Sequence, residues 1–562
     1  MSAARRPPAF RLLMAISAVL VGSSLLLGAA RADEYLHRGI ESGDESPLVR
    51  HLSGRELGVN ADLRQVAPDQ LDALAAGLQA QGIRYVRQPF TWSTIEPEPD
   101  VFDWSAYDPI VEALNAEGIA VLALLTGAPA WATSPADPGS VESPPSDPED
   151  LGIFVDTLME RYSSQISYLQ LWHFPNLRSH WGGNTPDPLA YADMLATTAA
   201  AARQRAPSIS ILTAELAPAS GARDTTDIGF LRALYRAGAA PSFDAVALGL
   251  PGGTASPFDR WVDPERLTMS RGILFREAII NAGDGDTPVW ATSFLVPGAA
   301  GPASPELQVN FITGALQRAR AEWPWLGPIV LGDSDLSRVS DAAAAASLVG
   351  ADGLNTRLES LVPIARQFAE SSAPGLVPSR APVLRYAGDW SNQVIGATTL
   401  RSTSEQGASV SIPFEGTGVA AVLRQGPTAG AVRITLDGAP LPGTRETNGA
   451  TVLPLFRFAA SDATIPLASG LEDTEHTLTI ELSPTETSSA DPVDLTFGGI
   501  IISRDRPADW PVAVLAGVGL LAIWYAVRES IYVLAIWAGW LRRHRELDLG
   551  PPMTSWGGQP RA

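Results

Sequence analysis

Between about residue 57 and residue 368, short apolar runs alternate with patterns of helical period, as happens when strands and helices take turns around a parallel sheet. Leu71, Leu74, Ala75 and Leu78 recur at helical spacing, Gly82 closes that helix, and Ile83-Arg84-Tyr85-Val86-Arg87 follows as a strand. Tyr107, Ile110, Val111 and Leu114 repeat the helix, with Gly118 and a buried strand over 119–125 behind it. Further strands are expected at 166–172, 209–213, 245–248, 289–292 and 329–331, which with Leu57-Gly58-Val59-Asn60 makes eight. Eight β/α units in about 300 residues predict a (β/α)8 TIM barrel rather than an open doubly wound sheet. No glycine-rich phosphate loop follows the first strand, which counts against a nucleotide fold.

Residues 371–382, rich in Pro, Ser and Gly, read as a linker. Beyond it the hydrophobic period falls to two over 408–412, 418–423, 431–436 and 476–482, with turn residues such as Asp437-Gly438 between the runs. This pattern predicts an all-β, jelly-roll-like sandwich over 383–505, following a barrel domain over 33–370.

Both ends of the chain are apolar. Arg5, Arg6 and Arg11 precede an apolar core over 12–27, and Ala30-Arg31-Ala32 offers a small-x-small cleavage site before Asp33. That order predicts a secretory signal peptide over 1–32, with an uncleaved signal anchor as the alternative. Near the other end, 511–527 is uncharged and apolar, at the short limit for a membrane span, with Trp510, Trp524 and Tyr525 placed as interfacial anchors. Arg528 follows, then a second apolar stretch over 531–541, expected as an interfacial helix or a tilted continuation of the span. Arg542, Arg543, His544 and Arg545 then predict a cytoplasmic tail over 542–562, by the bias of basic residues toward the cytoplasm. The expected protein therefore crosses the cell membrane once, with barrel and sandwich extracytoplasmic and the C-terminus cytoplasmic.

Composition narrows the chemistry. The chain has 562 residues, 45% of them hydrophobic and 18% charged, which suits several globular domains and excludes wholesale disorder. A formal net charge of -21 repels nucleic acid, which is therefore not an expected partner. With 0 cysteines there is no disulfide, no thiolate catalysis and no thiolate metal ligand. All basic residues are arginine, which excludes Schiff-base chemistry. The 6 histidines fall in no metal-ligand spacing, and neither metal nor cofactor is expected.

In a barrel of this kind chemistry sits at the C-terminal ends of the strands. Trp92-Ser93-Thr94-Ile95-Glu96-Pro97 with Phe102-Asp103-Trp104 closes the second unit, Ala128-Pro129-Ala130-Trp131-Ala132 the third, and Leu171-Trp172-His173-Phe174-Pro175-Asn176 the fourth. Together these motifs resemble the clan-A retaining glycoside hydrolases, most nearly the β-xylosidase and α-iduronidase type, over about residues 55–335. The resemblance implies a Trp-Asn-Glu-Pro acid motif on strand four and a Thr-Glu-Phe-like nucleophile motif on strand seven. This chain has Trp172-His173-Phe174-Pro175 and Thr292-Ser293-Phe294, so Phe174 and Ser293 stand where the two carboxylates belong. Strand six carries Gly249-Leu250-Pro251 in place of a His-Pro-Tyr-like element.

Phenylalanine donates no proton, and a serine without a base is no nucleophile. General acid catalysis alone is worth roughly 10²–10⁴-fold, and the covalent route is lost with it. Glu215, Asp333 and Asp335 fall just after strands five and eight as substitute carboxylates, but the expectation for each is a loop cap or an ion pair with a rim arginine such as Arg87. Trp92, Trp131, Trp172, Trp181 and Trp290 fall on or after strand ends, so a sugar cleft is expected from Arg87, Trp92, Trp131, Trp172, His173, Asn176 and Trp290, with mouth packing as the alternative for the indoles. The sequence thus predicts an inactive glycosidase-like envelope protein that binds a glycan or scaffolds a surface assembly. The rivals are a working hydrolase with displaced carboxylates and a purely structural protein.

Overall fold

The computed structural model describes residues 7–41, 49, 56–135, 142–219, 223–251, 255–294, 305–332, 349–350, 353–354, 360–381, 383–395, 398–483, 493–506 and 509–548. Residues 39–506 form one compact unit, and the two ends of the chain form another.

Eight parallel strands make the barrel: β1 Leu57–Asn60, β2 Ile83–Thr91, β3 Ala120–Thr126, β4 Ile166–Leu171, β5 Ser210–Leu212, β6 Val246–Leu250, β7 Val289–Phe294 and β8 Leu326–Leu331. Their order is β5-β4-β3-β2-β1-β8-β7-β6, and a parallel bridge between Leu212 and Ala245 brings the two edges together. Each strand is followed by a helix, from Leu71–Ala80 after β1 to Val362–Glu370 after β8. These helices bury one face against the strands, as Leu71, Leu74, Ala75 and Leu78 do in the first. The strands are longer than the sequence suggests at β2, which runs on to Thr91, and at β8, which begins at Leu326.

The barrel floor is a separate aromatic layer of Tyr85, Tyr168 and Trp290 with Leu122 and Leu212. The Trp290 ring centroid lies 5.5 Å from that of Tyr85 and 4.9 Å from that of Tyr168. Gly327 makes room for it, since a Cβ there would sit 2.8 Å from the indole.

The sandwich has two antiparallel sheets. One joins Ser391–Ile395, Thr398–Thr403, Leu495–Ser503, Gly418–Gln425 and Ser461–Ser469; the other is centred on Ser409–Glu415, Glu475–Leu482 and Ala431–Leu436. Phe414, Val432, Leu482, Leu495 and Phe497 fill the space between them. The stretch read as a linker is built into this domain: Gly375–Pro378 is a strand paired with Leu495–Ser503. Its proline and glycine suit an edge strand, where a missing N–H costs no ladder bond. Arg320 donates to the Ser371 carbonyl at 2.9 Å, and the Ser372 amide donates to the Pro413 carbonyl at 3.0 Å, so the barrel meets the sandwich through fixed hydrogen bonds.

Among the described residues two stretches of helix are long and apolar enough to cross a membrane, Pro8–His37 and Trp510–Arg545, the latter within a helix that runs to Asp548. The first continues through residues 30–32, where a cleavage site was expected, as far as His37. The second is unbroken through Arg528, so 531–541 continues the same helix rather than forming a separate interfacial segment.

Candidate functional site

At the end of β4 the chain makes two left-handed steps, with φ of 66° at Trp172 and 48° at Phe174. Bulky residues avoid this region at a cost of about 1–3 kcal/mol each, so neighbours must hold them there. The Trp172 amide donates to the Leu125 carbonyl at 2.8 Å and the Phe174 amide to the Glu215 carbonyl at 3.0 Å. Asn176, fully buried, clamps the loop by donating to the carbonyls of Ala217 and Thr225 at 2.8 and 2.9 Å and accepting from the Ala217 amide at 3.0 Å.

This backbone places His173 beside Phe174, ring centroids 3.7 Å apart, with the His180 ring 5.4 Å from one and 5.3 Å from the other. His180 Nδ1 lies 2.9 Å from the Ser179 hydroxyl, and its Nε2 lies 3.8 Å from a carboxylate oxygen of Glu142. Glu142 and His180 were not foreseen; a carboxylate and a histidine 38 residues apart in two loops leave no local pattern to read.

Beside this cluster, bridged to His173 through the backbone, Glu215 is 2% exposed. Its Oε1 accepts from the Ser293 hydroxyl at 2.6 Å and its Oε2 from the Thr292 hydroxyl at 3.0 Å. The shorter distance lies in the range of a hydroxyl donating to a carboxylate. Gly249 in β6 admits this side chain, because a Cβ there would stand 2.4 Å from Oε1. Glu215 is therefore an internal tie between β5 and β7 rather than a cap or a rim ion pair. Ser293, near the end of β7, points its hydroxyl at that carboxylate.

Below the mouth Arg87 is buried, donating through Nε to Gln170 Oε1 at 2.6 Å and through a terminal nitrogen to Asn60 Oδ1 at 3.0 Å. Asn60 passes the connection to the Thr292 carbonyl at 2.9 Å, and Gln170 to the Thr213 carbonyl at 3.2 Å. Arg87 thus spans β1, β2 and β4 inside the barrel. The signal for this network was present: Asn60 and Gln170 are polar residues inside otherwise apolar strands.

The indoles divide unevenly. Trp290 belongs to the floor, because it is the second residue of β7 and lies at the end opposite the mouth. Trp92 is 1% exposed, stacked on Phe154 at 5.3 Å, and its Nε1 donates to Glu96 at 2.7 Å. Trp172 is buried and donates to the His180 carbonyl at 3.2 Å; Trp181 is buried as well. Trp131 alone of the expected set is half-buried, with its Nε1 donating to the Glu96 carbonyl at 3.2 Å. Asp333 and Asp335 lie outside the described residues. Among the described residues no cluster of three metal-ligating side chains occurs.

A retaining glycosidase needs two carboxyl groups about 5–5.5 Å apart, one free to protonate and one free to attack. Here the strand-four and strand-seven positions hold a phenyl ring and a hydroxyl, and Glu215 already accepts two hydrogen bonds.

A family model described as beta-galactosidase, of the glycoside hydrolase 42 type, matches residues 64–137, from just after β1 to beyond β3. No curated protein matches the sequence. Among solved structures, a family 39 glycoside hydrolase from the gut symbiont Bacteroides cellulosilyticus WH2 is 14% identical, with 78% of this chain and 83% of that one covered and a TM-score of 0.44. A glucosidase from Croceicoccus marinus is 13% identical over 80% and 98%, with a TM-score of 0.43. A GH30 endoxylanase from Clostridium papyrosolvens C71 is 12% identical over 79% and 99%, with a TM-score of 0.37. The eight-stranded barrel that contains the family match is glycoside-hydrolase-like in fold.

Proposed function

We propose that this protein is a membrane-anchored, extracytoplasmic glycosidase-like barrel that does not cleave glycosides and works by binding, as a scaffold at the cell surface. One observation carries the reading: the carboxylate at the mouth is held by the hydroxyl that replaces the nucleophile, Ser293 to Glu215 at 2.6 Å. A carboxylate committed to two hydroxyls is a poor base and a poor nucleophile, because the ties must break before it reacts. Burial of Trp92, Trp172 and Trp290 removes the stacking faces that a sugar would need, which favours a protein partner over a glycan in the mouth. The C-terminal helix, apolar over most of its length and carrying Arg542, Arg543 and Arg545 near its end, supports the anchor and its orientation.

A second reading is hydrolysis through displaced groups, and the placement of Glu142 beside His180 favours it, since a histidine and a carboxylate can together move a proton. The purified full chain in detergent is assayed against a broad panel of aryl and oligosaccharide glycosides, alongside Glu215→Gln and Glu142→Gln. No turnover is expected. Turnover in the wild type that disappears in either variant would hand the chemistry to that residue. Oligosaccharide binding that weakens on Trp131→Ala would make the partner a glycan.

A further inference from the structure

The N-terminal helix packs along the C-terminal helix, antiparallel, over most of its length. Its buried positions are Ala15, Gly22 and Ala29, and those of its partner include Gly519, Ala526 and Val533; both sets recur every seven residues. A repeat of seven is the period at which one helix keeps a single face against another. Small residues on that face let backbones approach, the usual means by which helices associate in lipid. A Cβ on Gly22 would stand 2.8 Å from the Gly519 carbonyl oxygen and 2.7 Å from Ile523, and one on Gly519 would stand 3.0 Å from the Gly22 carbonyl oxygen. Gly28 and Gly517, on other faces, have nothing within 4 Å of such an atom.

Polar pairs close the seam at both ends. Arg11 meets Glu529 at 3.0 Å, with the Glu529 side chain 8% exposed, and lies over the Tyr532 ring at 5.5 Å. At the other end His37 is 2.8 Å from Asp33 and 2.9 Å from Asp509. Residues 12–30 between Arg11 and Arg31 carry no charge, and 19 helical residues span about 28 Å, close to the hydrocarbon thickness of a bilayer. Ala30-Arg31-Ala32 lies within the same continuous helix, which runs on to His37.

We propose that the N-terminal helix is retained in the mature protein as a second membrane span, and that its Ala15–Gly22–Ala29 face is the docking surface for the C-terminal helix. Both termini then lie on the cytoplasmic side. The inference rests on the membrane-anchor reading.

The test uses the full chain with a site-specific protease sequence inserted after Glu41 and a tag at each end. Intact mass is expected to show a chain that begins before Pro8. After proteolysis in mild detergent, the N-terminal fragment is expected to co-purify with the remainder. Gly22→Leu lowers that recovery about tenfold, the size of a packing loss between membrane helices, and Gly28→Leu leaves it unchanged. Arg11→Glu weakens recovery, and combining it with Glu529→Arg restores it, which guards against a variant that merely misfolds. A mature N-terminus at Asp33 overturns the proposal, as does a wild-type fragment that falls away, or equal effects of Gly22→Leu and Gly28→Leu. Extraction of the whole chain by alkaline carbonate is a separate result and sinks the anchor itself.

Discussion

Replacing Glu215 separates a structural carboxylate from a catalytic one by the sign of the stability change. Glu215→Ala removes the acceptor of the Ser293 and Thr292 hydroxyls, at 2.6 and 3.0 Å, and leaves both buried without it. Hydrogen bonds to charged groups are worth about 1.5–3 kcal/mol each, so the two together set a loss of about 4 kcal/mol. Glu215→Gln keeps the volume and one acceptor but turns an N–H toward a hydroxyl that must reverse its role, for a loss of about 1–2 kcal/mol. A carboxylate kept for catalysis behaves oppositely, because its removal relieves a site held for function at the expense of stability. The measurement is denaturant and thermal unfolding of residues 39–506, the compact unit that excludes both terminal helices. A destabilisation of this size lowers Tm by several degrees in a large domain. Glu215→Gln as stable as the wild type, or more so, would refute the assignment of Glu215 as an internal tie.

Two further outcomes follow from the same structure. Burial pushes the Glu56 carboxyl up from 4.5 to about 7, against the pull of Arg84 and a hydrogen bond from Tyr85. The folded state then holds a proton that the unfolded state has lost, so stability falls as pH rises from 4.5 to 7, by about 3 kcal/mol at 1.36 kcal/mol per unit. Glu56→Gln should flatten that decline in unfolding curves taken at pH 4.5 and 7.5; an unchanged slope would exclude Glu56 as its source. Residues 39–506 expressed without the helices should be soluble and folded, because the sandwich closes at Ser503 before the C-terminal helix begins, and association with vesicles would require another anchor.

The barrel was legible because its helices and strands obey different periods and alternate without interruption, down to the glycines that end them. In the sandwich the runs with clean alternation, such as Ala431–Leu436, were visible. Ser391–Ile395 was not, since polar residues fall on both of its faces; Ser461–Ser469 alternates, with Ala463, Ile465 and Leu467 toward the core, but Pro466 interrupts the run, and Gly375–Pro378 was hidden by linker-like composition. For the site, motif order located Phe174 and Ser293 correctly at strand ends, but the roles of the tryptophans depend on which end of a strand each occupies. Trp290 follows Val289 at the start of β7, so it belongs to the floor; Trp92 and Trp172 sit at the mouth but turn inward, held by Glu96 and the His180 carbonyl. Glu215 read as a loop residue because the partner that internalises it lies 78 positions away. The seven-residue spacing of Ala15, Gly22 and Ala29 was present in the sequence, yet small residues are equally what a signal peptide contains.

On the proposed reading, the geometry at the end of β4 has outlived its chemistry. Trp172 and Phe174 keep left-handed backbones that bulky side chains resist, and an acid at Phe174 would be the usual reason to bear that cost. With a phenyl ring there, the strain must serve shape: the turn aims Phe174 at His173 and lets its amide bond to the Glu215 carbonyl. Glu215 then reaches across to Ser293, so the two positions that once needed opposed carboxylates are joined through one residue. Such a chain of ties stiffens the mouth. Stiffness is what a binding surface needs, because an ordered site loses less entropy on association than a mobile one.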